Sequence, residues 1–124
     1  MNENVHKGVA KEHFKIAEDY DVKFRAEKDE EKKKINRIVA AQNYFYSAIN
    51  AIEAVFAKEL EQHSFNHENR YRKFVENQRL FSDEIFNLFK KVDREERNKV
   101  AYRGENGQMY EDIKKLGKLL NDAI

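Results

Sequence analysis

At 124 residues the chain is long enough for one core and too short for two ordinary domains. A single domain over residues 1–124 is expected, with any cleft lying between helices or between subunits. Hydrophobic residues make up 40% and charged residues 38%, so the apolar minority must be gathered on stripes to drive folding. The absence of cysteine excludes a disulfide framework, a zinc ribbon and a thiol nucleophile.

Proline is absent and glycine occurs four times, so few residues interrupt helices. The expected fold is all-α, a compact antiparallel bundle of four to five helices. Residues 1–10 hold no apolar run like a signal peptide, and no stretch approaches the roughly 20 apolar residues that cross a bilayer. A soluble, cytoplasmic protein with no membrane partner is expected. The net charge of +1 hides segregation: residues 70–103 hold ten Lys/Arg against six Asp/Glu, and residues 41–69 hold one against four.

In chain order, Val5, Val9, Ile16, Tyr20 and Phe24 predict a first amphipathic helix over residues 4–26, with His13 on the same stripe. The mixed-charge run 27–34 reads as a solvated turn or helix end. From Ile35, the spacing of Ile38, Val39, Gln42, Phe45, Tyr46, Ile49, Ile52, Phe56 and Leu60 predicts a long central helix. Its alanines and Ser47 allow another helix to approach closely.

Residues 61–68 read as a connector before a short helix over 68–78, which Phe65, Tyr71, Phe74 and Val75 can anchor. Ser82 is a good N-cap, with Asp83 and Glu84 in the first turn, for a helix running to about Val100. Two glycines and an asparagine at 104–107 predict a sharp turn. Met109, Ile113, Leu116, Leu120 and Ile124 then predict a last helix starting near Gln108.

The polar elbow formed by Arg97, Asn98, Tyr102 and Arg103 before that turn is the leading site candidate. On an unbroken helix Arg97 and Tyr102 would diverge by roughly 140°, so they converge only if the helix unwinds or a second subunit contributes. Ser47, Asn50 and Glu53 are the polar members of the central helix and share one side, which suits a buried hydrogen-bond network. Arg70, Arg72 and Lys73 interleave with Tyr71 and Phe74, a lettering suited to RNA phosphates and unstacked bases, and equally to a solvated amphipathic helix.

His63 and His67 are four apart in a predicted connector, and His6 and His13 seven apart on one helical face. The first pair has only Glu61 and Glu68 nearby and the second has no serine or cysteine nucleophile pattern beside it, so no metal and no cofactor is expected.

The order of these features resembles the HEPN family (higher eukaryotes and prokaryotes nucleotide-binding). The resemblance rests on Arg97-Asn98 near the end of the penultimate helix, the central stretch Tyr44 to Ala54 with Ser47, Asn50 and Glu53, and the loop from His63 to His67. It implies a homodimeric helical bundle associated with RNA or nucleotides. Ribonuclease members of the family carry an arginine, four to six residues, then a histidine. The matching position here is Tyr102, and no histidine follows His67.

Metal-independent RNA cleavage needs a base, an acid and a cation for the charged phosphorane. Arg97 supplies the cation. A tyrosine with a pKa near 10 is ionised about one part in a thousand at pH 7, a handicap of roughly 4 kcal/mol as a base. Weak or absent cleavage is therefore expected of Arg97 and Tyr102. The alternative is a non-catalytic module pairing with itself or with a nucleotidyltransferase, as in toxin–antitoxin pairs, and the last reading is an active ribonuclease that imports a group such as His67 across a dimer. The tyrosine that such a nucleotidyltransferase modifies in some relatives corresponds to Gly104, so that regulation does not carry over.

Overall fold

A computed structural model of the chain describes residues 2–96 and 107–124. These residues form five α-helices and no strand: α1 (Glu3–Ala26), α2 (Glu30–Glu59), α3 (His67–Glu76), α4 (Asp83–Lys91) and α5 (Gly107–Ala123). A single 3-10 turn, Gln78–Leu80, precedes α4, and a π-helical turn, Val92–Glu96, extends it.

Local chemistry sets each start. The side chains of Asn2, Asp29, Asn66 and Ser82 accept the backbone N–H groups of Val5, Lys32, Asn69 and Ile85, so each of α1 to α4 has a side-chain N-cap. The Asp29 cap, with Glu30 and Glu31 in the first turn, starts α2 five residues before the apolar stripe begins at Ile35. The charged run 27–34 is thus a three-residue link followed by a helix start. At the other end of α2, Glu61 takes a left-handed φ of 55° and turns the chain into the loop before α3.

Helices α1 and α2 form an antiparallel hairpin, with His6 beside Asn50 and His13 bonded to Asn43. Ala10, Ala17, Ala40, Ala48 and Ala51 are fully buried in the core, where their small side chains permit close packing. Helix α5 runs antiparallel to α1, Tyr110 meeting Asp21 and Lys11 reaching the Asn121 carbonyl. A Cβ on Gly117 of α5 would lie 3.1 Å from the Tyr44 carbonyl oxygen, so glycine is what lets α5 press on α2 there.

The other half of the core is aromatic. Phe74 of α3 stacks on Phe86 at 5.3 Å and touches the rings of Phe81 and Phe89. Full burial of such a side chain contributes about 1.5–3 kcal/mol and joins the short helices α3 and α4, and Phe56 of α2 meets the same group through the Phe81 ring.

Three sequence expectations are corrected. The buried face of α1 is His6, Ala10, Ala17 and Asp21, while Val5 and Ile16 are exposed. The helix turns its alanines toward α2, and Tyr20 and Phe24 of the expected stripe pack against the edge of the core. Of the expected anchors of α3, Phe74 is buried, but Val75 is exposed and Phe65 is 90% exposed. The helix expected to reach about Val100 leaves α-geometry at Lys91, and the part of it beyond Glu96 lies outside the described residues.

Candidate functional site

Arg97, Asn98, Tyr102 and Arg103 lie outside the described residues. The described part of the site is therefore built from α2, the 61–66 loop, α3 and the end of α4.

Glu53 is buried on α2. Its Oε2 takes the Arg70 Nε–H at 2.8 Å, and its Oε1 takes the Ser64 backbone N–H at 3.0 Å. Burial alone would raise the carboxyl pKa, but the hydrogen bonds from Ser64 and Arg70 outweigh it and hold the group below its ordinary value. Glu53 is thus an anion at neutral pH, and it ties the loop to α2.

One turn earlier, Asn50 donates to the Tyr46 carbonyl and offers Oδ1 to His6 Nδ1 at 3.5 Å. His6 Nε2 lies 3.3 Å from His63 Nδ1, so α1 and the loop meet through two imidazoles. Burial lowers the His6 pKa, the nearby His63 lowers it further, and Asn50 and Glu53 partly oppose this. Lys73 is buried and donates to the His63 carbonyl, while Arg70 also contacts His67 at 3.1 Å. Among the three cations of α3, Arg72 is the one turned to solvent.

Helix α4 ends against the same region. Arg94 forms two hydrogen bonds to Glu68, at 2.8 and 3.2 Å, and its guanidinium lies 3.6 Å from the Tyr71 ring centre. The π turn therefore lies against α3 at Arg94, three positions before Arg97.

The structure joins Asn50, Glu53, Arg70 and Lys73 in one network and separates Ser47 from it. Ser47 is fully buried, donating to the Ala10 carbonyl at 2.6 Å and accepting from the Asn121 amide, so it pins α1, α2 and α5 together. Sequence reasoning missed the His6–His63 contact, because 57 residues separate the two and no local pattern links them.

It also missed Asp21, which is buried and takes hydrogen bonds from Tyr110, Lys114 and Arg25. Burial opposes its ionisation, and those three donors more than offset it, leaving its pKa lowered. An acid on the inner face of α1, four residues before Arg25, was the available signal.

No group of three or more His, Asp or Glu side chains among the described residues is placed to hold a metal ion. Among these residues no helix is long and apolar enough to cross a membrane. Compared with protein-family models, curated proteins and solved structures, the chain finds no match.

Proposed function

We propose that this chain is a HEPN-like helical domain that works as a homodimer on RNA, holding a strand through the 97–103 segment and α3 and cleaving it weakly or not at all. The observation that carries this reading is the gathering of Asn50, Glu53 and Arg70 on α2 and α3, with the π turn after α4 docked on α3 through Arg94. That is the side of the central helix on which the family's polar cleft residues are expected. Arg97 then provides a cation for phosphate and Tyr102 a hydrogen-bond donor, and neither is a base at neutral pH.

A homodimer is supported by the exposed apolar side chains of the α1–α2 hairpin. Val5 and Ile16 are eleven residues apart and so share a face of α1, as Ile35 and Tyr46 share a face of α2. The ring of His13 touches that of Tyr46, which joins the two faces. With a net charge of only +1, two copies repel each other little.

The test is labelled single-stranded RNA in low salt with EDTA, comparing wild type, Arg97→Ala and Tyr102→His. The expected result is that wild type binds and scarcely cuts, Arg97→Ala binds more weakly, and Tyr102→His gains cleavage. Absence of RNA binding by wild type overturns this reading. It then favours a second one, an interaction module whose hairpin face pairs with itself or with a nucleotidyltransferase.

A further inference from the structure

Phe65 is the most exposed large hydrophobic side chain among the described residues, at 90%. A ring left in water at the head of a helix adds no apolar burial to the fold. Its position is nonetheless fixed by the backbone. The Phe65 N–H donates to Asn69 Oδ1 at 3.0 Å, while the Asn69 N–H donates to Asn66 Oδ1 at 2.8 Å. The two asparagines thus clamp the start of α3 reciprocally and present the ring on a held backbone.

The ring borders an open hollow of about 370 Å³ lined also by Asn66, Glu68, Asn69 and Arg72. Arg72 is exposed and has no carboxylate within ion-pair distance among the described residues, which leaves its guanidinium free for an outside anion. Glu68, the one carboxylate at the hollow, is already held by both terminal nitrogens of Arg94. Its negative charge is therefore compensated from the far side.

We infer that Phe65 and Arg72 form a subsite for an unpaired nucleobase of single-stranded RNA, the base stacking on the Phe65 ring and its phosphate meeting Arg72. This rests on the RNA reading above and adds a site to it. A single aromatic framed by amides and a guanidinium suits this occupant better than a protein surface, which needs a contiguous apolar core around its anchor. Any base can stack on the ring, so the subsite recognises single-strandedness and not sequence.

The chain contains no tryptophan, so Phe65→Trp makes the subsite its own fluorescent reporter. Titration with dodecauridylate in low salt is expected to quench that emission saturably, and inorganic polyphosphate, which cannot stack, is expected to leave it unchanged. In parallel, labelled dodecauridylate should bind Phe65→Ala roughly 5- to 100-fold more weakly than wild type, with Phe65→Tyr close to wild type. The Tm of Phe65→Ala should stay within about 2 °C of wild type, because the ring packs on almost nothing. If wild type binds the oligonucleotide while Phe65→Ala binds as tightly and the tryptophan is silent, the subsite is wrong and the RNA reading stands. If wild type does not bind at all, both fail. A tryptophan signal that responds to protein concentration without RNA marks a protein contact and overturns the subsite.

Discussion

The Glu53 carboxylate and the Arg70 guanidinium meet at 2.8 Å across the α2–α3 junction, their side chains 7% and 15% exposed. The pair joins the longest helix, α2, to α3, and the Ser64 N–H on the same carboxylate holds the loop between them. At this depth the attraction is little screened, and the removal of either charge strands the other.

Arg70→Ala is therefore expected to cost about 3 kcal/mol in urea unfolding, and the double variant Glu53→Gln/Arg70→Ala to recover part of that loss. The pH dependence follows in sign. With the folded pKa of Glu53 below 4.5, its contribution is full above that value and is lost as pH falls through the folded value. Arg70→Ala should flatten that acid loss. An Arg70→Ala variant as stable as wild type at pH 7 contradicts the structural role assigned to the pair.

His6 gives a second pH effect, in a different window. Its folded pKa lies below 6.5, so the unfolded chain takes up the proton first, and stability falls as pH drops through 6.5 toward the folded value. The His6 resonance in a proton NMR titration should have its midpoint below 6.5, and His6→Gln should remove this part of the stability slope. A midpoint above 6.5 would show that Asn50 and Glu53 outweigh burial.

Gly117→Ala tests the contact between α5 and α2. Alanine favours a helix by about 1 kcal/mol over glycine, but its Cβ would press on the Tyr44 carbonyl and ring. Since a carbonyl inside α2 cannot give way, a net loss of about 1–2 kcal/mol is expected in thermal or urea unfolding. A stabilised variant would mean that α5 can slide outward at no cost.

Ile16→Lys examines the hairpin face. Because Ile16 is exposed, the substitution should move the protein from dimer to monomer in gel filtration and remove the dependence of Tm on protein concentration, with the monomer still folded. A wild type that elutes as a monomer at every concentration removes the homodimer from the proposal.

Much of the bundle was legible in the letters because helices announce themselves through spacing and caps. The stripe of Ile113, Leu116 and Leu120 and the Ser82 cap are where periodicity and capping preference put them. The register of α1 was legible only in part, since its innermost face is made of alanines, a histidine and an aspartate, while Tyr20 and Phe24 of the expected stripe pack at the edge of the core. Phe65 misled for the same reason, its apolar character pointing inward where the asparagine clamp turns it out. Of the candidate site, the Glu53 and Asn50 side of α2 could be read from threefold spacing. Ser47 shares that spacing and is drawn instead into α5 by Asn121, a partner 74 residues away.

The π turn at Val92–Glu96 has a consequence for how the chain beyond it can be altered. A turn of this kind holds about one residue more than an α turn, so it works as a phase insert in the helix. Removal of one residue from it would restore regular winding with the exit from the turn nearly unrotated, because a π turn and an α turn sweep the same full circle with one residue's difference. Val92–Glu96 can therefore lose one residue as a turn is regularised, whereas the same deletion inside α4 would shift every later side chain by about 100°.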